Sequence, residues 1–200
     1  RLPFLPASDF HELSAGEFAC GFDIEAATLK TMLETVRFAI STEETRYYLN
    51  GIHWHEDEVD GAAKLIAVAT DGHRLAKSVL PLPDGAAGLP AIIIPRKTVE
   101  LVLKMLPEKG PVRVDVSDVK LRLTMGGEES GVTLVSKLID GTFPDYKRVV
   151  PGGNPNRYTV TRAPLADAID RVLTVSTGKG NAVKYAFAGD GLTVTAHSPD

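Results

Sequence analysis

The segment Thr70-Asp71-Gly72-His73-Arg74-Leu75 carries the densest chemical functionality of the chain, and it directly follows an apolar run at 65–69. An acid, an imidazole and a guanidinium in such close spacing could support acid–base or nucleophilic catalysis. A nucleophilic triad also needs a serine or cysteine held in a tight turn, and no Gly-x-Ser-x-Gly elbow occurs in the sequence. We therefore interpret Asp71-Gly72 as a turn, with a positive φ at Gly72 and backbone hydrogen bonds to Asp71, and we predict no catalytic residues.

A second group of candidate residues lies at His53-Trp54-His55, where two imidazoles share one face of a predicted strand. Together with Asp57 they would suit a metal-dependent hydrolase, which we retain as the alternative function. Glu58 stands where a His-x-His-x-Asp metal pattern requires a further histidine. The favoured interpretation is a strand that runs into a charged loop at 56–60, with no metal and no cofactor.

Composition limits the class of protein. The chain has 200 residues, 44% of them hydrophobic and 24% charged, which is enough to bury a core. No apolar run approaches the roughly 18 residues of a membrane span, and no signal peptide is visible, so we expect no membrane association. The single cysteine, Cys20, fits a reducing cytoplasm. A net charge of −4 excludes a uniformly basic nucleic-acid binder but allows a local basic surface.

A long internal repeat organises the chain. Strand-like segments end at Ile24, Ile94 and Val160, which are 70 and 66 positions apart, and each leads into a helix with one apolar stripe. Runs of strand residues follow each helix, so we predict an α+β fold with antiparallel sheets and the helices on one face. The strands predicted after the three helices are 45–55, 64–70, 74–79, 112–116, 119–125, 131–138, 183–188 and 192–196, and a further strand, 158–160, precedes the third helix.

The repeat predicts the domain organisation. Residues 18–151 contain two repeats and would form one complete domain, preceded by an irregular tail at 1–17. Residues 156–200 begin a repeat that the chain does not complete. We therefore expect the sequence to be a fragment of a longer protein.

The segment 140–151, which we call the connector, carries Phe143, Tyr146, Val149 and Val150, an apolar content that predicts packing against a domain surface. With the segments 46–51 and 69–76, the connector resembles the bacterial DNA sliding clamps, the beta subunits of DNA polymerase III. The resemblance extends over essentially the whole chain. Residues 1–17 resemble the end of the first clamp domain, 18–151 the middle domain, and 156–200 the first half of the third.

The resemblance implies the DNA-clamp fold and a non-catalytic processivity factor. Such clamps are head-to-tail homodimeric rings that enclose duplex DNA without reading its sequence, with helices inside and sheets outside. DNA polymerase III, the clamp loader and other proteins with clamp-binding motifs dock a peptide into a cleft between the second and third domains. The matching cleft residues are Leu49, Thr70, Gly72, His73, Arg74, Leu75, Pro144, Arg148 and Val149.

The residue types agree with a peptide cleft. Leu75 and Val149 can supply an apolar wall, and Gly72 lets a peptide backbone approach closely. Arg74 and Arg148 extend that wall with their aliphatic stems and keep their guanidinium groups free for a carbonyl or carboxylate. The alternative is that Leu49, Leu75 and Val149 are ordinary core residues.

The charge distribution also agrees with DNA binding. The segments 24–37, 94–107 and 160–173 carry a net charge of +2, so the remainder carries −6. This asymmetry favours a basic helical face that holds phosphates non-specifically. By resemblance the DNA neighbours are Tyr47, Tyr48, Arg96 and Lys97. A repeat-built interaction module without a DNA role remains a third interpretation.

Overall fold

The chain forms two compact units. The computed structural model describes residues 17–127, 131–174 and 182–196, and the units comprise Arg1–Asp145 and Tyr146–Asp200. Within these described ranges, the first unit contains two four-stranded antiparallel sheets and two α-helices, and the second contains one α-helix and a two-stranded sheet. The predicted α+β class is therefore confirmed, while the domain boundaries given above stay predictions.

The first unit repeats one order of elements, strand, helix and three further strands. Its first half comprises β1 (Cys20–Glu25), α1 (Ala26–Arg37), a 3₁₀ helix (Glu44–Leu49), β2 (Gly51–Val59), β3 (Ala62–Thr70) and β4 (Leu75–Pro81). Its second half comprises β5 (Ile92–Pro95), α2 (Arg96–Met105), β6 (Pro111–Val116), β7 (Lys120–Met125) and β8 (Val132–Lys137).

The two halves exchange their first strands. Sheet A has the order β1-β6-β7-β8 and sheet B the order β4-β3-β2-β5. Strand β1 of the first half thus pairs with β6 of the second, and β5 of the second half pairs with β2 of the first, both antiparallel. Separating the halves would break both ladders, so the two repeats form a single unit.

Both helices bury one stripe against the sheets. The spacing of Leu29, Met32, Leu33 and Val36 places all four on one face of α1, and all are buried in the core. Helix α2 buries Val99 and Val102 in the same way. Alternate residues of the strands complete this core, which leaves the other face of each sheet outside it.

The predicted strand at 45–55 is correct only from Gly51 onward, and the predicted charged loop at 56–60 is wrong. Residues 44–49 form the 3₁₀ helix, and β2 begins only at Gly51 and continues through the charged residues to Val59. The reason is a tight hairpin, because Asp60 and Gly61 adopt positive φ angles of 54° and 74°. Such an Asp-Gly turn matches the twist of paired strands, so β2 and β3 stay paired to their ends.

The second unit contains the 3₁₀ turn Tyr146–Arg148, α3 (Arg162–Leu173), β9 (Val183–Ala188) and β10 (Gly191–Ala196). The predicted strand at 158–160 does not form, and the Tyr158 ring instead stacks on Phe187 at 4.0 Å. Its counterparts β1 and β5 pair with a strand from the other half of their unit, and the described residues of the second unit contain no such partner. In the described parts of the chain, no helix is both long enough and apolar enough to cross a membrane.

Candidate functional site

The segment from Thr70 to Leu75 is a tight turn between β3 and β4. Gly72 has a φ of 88°, a conformation in which a side chain would be strained. The Asp71 Oδ1 atom accepts hydrogen bonds from the backbone N–H groups of His73 at 2.9 Å and Arg74 at 3.0 Å. The Thr70 hydroxyl donates to the Arg74 carbonyl at 2.7 Å and accepts from the Gly72 N–H at 3.1 Å. The turn interpretation is confirmed.

Both oxygen atoms of the Asp71 carboxylate accept hydrogen bonds from within this turn. Its Oδ2 atom accepts a hydrogen bond from Arg74 Nε at 3.0 Å. The hydrogen bond from the His73 N–H, followed by those from Arg74, lowers the pKa of Asp71 below its usual value. Asp71 therefore orders the turn as an ionised acceptor, while Gly72, His73 and Arg74 stay exposed at its tip.

Arg46 and Phe38 are neighbours of this turn that were not predicted from the sequence. A Cβ atom on Gly72 would lie only 2.5 Å from Arg46 Nη1, so the missing side chain makes room for the guanidinium. Glu43 orients Arg46 by accepting a hydrogen bond from its Nε at 2.8 Å, and this bond lowers the pKa of Glu43. The Arg74 guanidinium carbon lies 5.6 Å from the centre of the exposed Phe38 ring. The signal for Phe38 in the sequence was an aromatic residue directly after a predicted helix.

The 3₁₀ helix brings the three segments of the family resemblance together. On one side its Arg46 contacts Gly72 of the turn. On the other side Tyr48 lies so close to Gly141, at the start of the connector, that a Cβ there would be 3.1 Å from Tyr48 Cβ. The Tyr47 and Tyr48 rings themselves meet edge to face, with their centres 5.8 Å apart. Segments far apart in the sequence thus meet around one short helix.

The other predicted cleft residues differ in exposure. Leu49, at the end of the 3₁₀ helix, is buried but lies outside the main core, and Leu75 is partly exposed. Pro144 is exposed. Arg148 and Val149 belong to the second unit, where both are exposed and the Val149 N–H donates to the Tyr146 carbonyl at 3.1 Å. Neither leucine is a member of the main buried cluster, and the role of both in a cleft stays a prediction.

The predicted DNA neighbours are accessible. Arg96 and Lys97 form the exposed first turn of α2, and Arg96 Nε donates to Glu100 Oε1 at 2.9 Å. Tyr47 is 53% exposed, whereas Tyr48 is partly covered.

The two histidines of the metal hypothesis are engaged in other contacts. The His53 and His55 rings stack with centres 4.8 Å apart, and the Phe143 ring stacks on His53 at 4.6 Å. His53 Nδ1 lies 3.1 Å from the Ile92 carbonyl, and His55 Nδ1 lies 3.1 Å from the Glu56 carbonyl. The part of the chain that the structure describes contains no group of three or more metal-binding side chains. The hydrolase alternative is therefore unsupported.

Burial, and then the neighbouring His55 imidazole, lowers the pKa of His53 from 6.5 to about 4. Between pH 6.5 and about pH 4, the folded protein therefore binds fewer protons at His53 than the unfolded chain does. The contribution of neutral His53 to the free energy of unfolding is fully present above the unfolded pKa and is lost as the pH falls towards the folded pKa. Between about pH 7 and about pH 5 we expect a loss of about 2 kcal/mol in the free energy of unfolding from this group.

Urea unfolding at a series of pH values checks this expectation. The matched variant His53→Phe keeps an aromatic ring without a titrating group, and it should lose this part of the pH slope. Equal slopes in the two proteins would contradict the assigned shift.

The comparisons with known proteins agree with this geometry. The family model described as the central domain of the DNA polymerase III beta subunit matches residues 23–145. The beta sliding clamp of Caulobacter vibrioides is 42% identical over 199 residues, which cover 99% of this chain and 52% of the relative. The chain thus spans about half the length of the curated relatives it matches.

Solved structures give the same result. A clamp from Bartonella birtlesii bound to griselimycin is 47% identical and has a TM-score of 0.84, covering 95% of this chain and 50% of that one. The Caulobacter crescentus clamp is 42% identical with a TM-score of 0.90, covering 97% and 51%. Family model and structural similarity together show that this chain belongs to the DNA polymerase III beta subunit family, the bacterial sliding clamps.

Proposed function

We propose that this chain is part of a processivity factor of bacterial DNA replication, a non-catalytic ring that encloses duplex DNA and tethers polymerase and repair proteins through a peptide-binding cleft. The observation that carries the proposal is the meeting of turn, 3₁₀ helix and connector in a chain of this family. The proposed ring is a head-to-tail homodimer. Its proposed partners are the DNA polymerase III catalytic subunit, the clamp loader and other proteins with clamp-binding motifs, and its place of work is the cytoplasm.

The proposed cleft comprises the residues predicted from the family resemblance. In the first unit, Leu75 supplies apolar surface, and the exposed Gly72 gives a peptide backbone close access. The family resemblance adds Arg148 and Val149 to the proposed contacts. Clamps from Bartonella birtlesii and Pseudomonas aeruginosa have been solved bound to griselimycin, and we expect this protein to bind the same compound in this cleft.

The charge at the start of α2 supports the DNA-binding part of the proposal. Arg96 and Lys97 occupy the first turn, where the helix dipole disfavours positive charge, so they do not serve helix stability. The exposed ion pair between Arg96 and Glu100 contributes little. Contacts with phosphates would explain why two basic residues stand here, and such contacts are weak and independent of base sequence.

Comparing the retention of the protein on circular and on linear DNA tests whether it forms a ring around the duplex. The full-length protein, loaded onto a nicked circular plasmid by its clamp loader, should remain bound during gel filtration at a salt concentration that weakens phosphate contacts. Cutting the plasmid once should release it, because a ring slides off a free end.

Equal retention on circular and linear DNA would contradict encirclement. Loss from both forms would favour an interaction module without a DNA role. Arg96→Glu and Lys97→Glu, each made singly, should weaken loading, whereas Lys77→Glu, on β4, serves as the charge-matched control.

A further inference from the structure

The middle of the sheet B face that points away from the core is also buried, although its β4 edge, at Val79, is exposed. Ile66 and Val68 alternate along β3 with the core residues Leu65 and Ala67, so their side chains point to the opposite face. Both are nevertheless fully buried. Something packed on this second face must cover them, since a sheet face open to solvent would leave them exposed.

His53 occupies the centre of that face. In the strand register it lies directly between Ile93 on β5 and Val68 on β3. Its Nδ1 is 3.1 Å from the Ile92 carbonyl, and the His55 ring stacks against it. The imidazole therefore has a fixed orientation and presents a flat surface between two buried aliphatic neighbours.

The connector lies on this surface. The Phe143 ring is only 9% exposed and is parallel to His53 within 9°, with 4.6 Å between the ring centres. Just before the connector, the Ile139 N–H donates to the Ile93 carbonyl at 3.0 Å. Gly141 packs against the 3₁₀ helix, as described above. The chain from 139 to 143 is thus held at three successive points, and Pro144 follows at once.

Sheet A has a related arrangement built from different residues, with the aromatic contact on the neighbouring strand β7. Strand pairing makes Arg113 and Asp115 of β6 the counterparts of His53 and His55. Asp115 accepts hydrogen bonds from Arg113 Nε at 3.1 Å and from Arg122 Nε at 2.9 Å. The Arg122 guanidinium lies 4.4 Å from the ring centre of Phe18, in the segment that leads into β1. In each sheet, an aromatic residue of an adjoining segment thus packs against a planar polar side chain.

We propose that His53 is a positioning residue for ligand binding, acting by the stacking of its ring on Phe143, which places Pro144 for the cleft. This proposal rests on the proposed function. A connector already held in place loses less conformational entropy when a ligand binds, so the stack raises affinity without touching the ligand. A stack that only stabilised the fold would leave the affinity of the folded protein unchanged.

Calorimetric titration of the full-length protein with griselimycin tests the proposal, together with hydrogen exchange of residues 139–145 in the absence of ligand. We expect His53→Ala to weaken binding between about 3- and 10-fold, the equivalent of one aromatic stack. The same variant should speed exchange in this segment. His53→Phe keeps the ring and should restore both values to within about twofold of the unaltered protein.

Two further variants sharpen the test. Phe143→Ala should match His53→Ala, and the double variant should be no weaker than either, because both remove the same stack. Val79→Ala, on exposed β4 surface, controls for loss of an outer side chain. Far-ultraviolet circular dichroism verifies that each variant is folded.

The outcomes separate the two proposals. Unchanged affinity in a folded His53→Ala protein would overturn the positioning role alone, whatever the exchange result. Failure of His53→Phe to restore affinity would also overturn it. Absence of griselimycin binding by the unaltered protein would refute the peptide cleft and, with it, the positioning role.

Discussion

Replacing Asp71 by alanine is expected to weaken the binding of griselimycin by about 10-fold, with the full-length protein still folded. The Asp71 carboxylate accepts two backbone hydrogen bonds and one from the Arg74 side chain. Each backbone bond stabilises the turn by about 1 kcal/mol, so without them Gly72 and His73 would sample other conformations. Only the fraction of molecules with the correct turn would bind, which lowers the apparent affinity.

Two matched variants distinguish loss of the turn from loss of contact. Asp71→Asn keeps an oxygen at the Oδ1 position and removes the charge, so it should retain most of the affinity. Leu75→Ala leaves the hydrogen bonds of the turn intact and removes apolar surface from the proposed cleft, and it should also weaken binding. Calorimetric titration measures all three, and unchanged affinity in both Asp71→Ala and Leu75→Ala would place the ligand elsewhere.

Replacing Trp54 by alanine should lower the free energy of unfolding by about 3–5 kcal/mol, the largest effect on stability that we expect from one residue. Trp54 is 1% exposed, and the small cavity beside it is lined by Leu29 of α1 and Val99 of α2. Its truncation would leave a void where both helices meet sheet B, and a close-packed core fills such a void only in part.

Trp54→Phe is the matched control. The buried Trp54 Nε1 atom has no hydrogen-bond partner among the residues that the structure describes, so phenylalanine removes an unsatisfied donor as well as some volume. We expect it to cost less than about 1.5 kcal/mol. Urea unfolding followed by far-ultraviolet circular dichroism measures both. A loss of less than about 1 kcal/mol in Trp54→Ala would contradict this picture of the core.

The accuracy of the sequence interpretation depended on how local each feature is. The Asp71 turn was predicted correctly because the glycine and its hydrogen-bonding neighbours adjoin one another in sequence. The helices were predicted correctly because apolar residues recur at helical spacing within each segment. The strand predicted at 45–55 began too early, because the apolar and aromatic residues before Gly51 suit a 3₁₀ helix once Arg46 and Tyr48 have partners elsewhere in the fold.

By itself, the sequence determined the α+β class, the repeat, the Asp71 turn and, through three segments, the family resemblance. Only the tertiary structure decided which strands pair, since each half of the first unit gives its first strand to the other. It also decided that Arg46 rests on Gly72 and that Phe143 stacks on His53, 90 positions away. Such contacts have no sequence period, because they depend on where chain segments meet after folding. That is why two histidines with the spacing of metal ligands proved to belong to an aromatic stack.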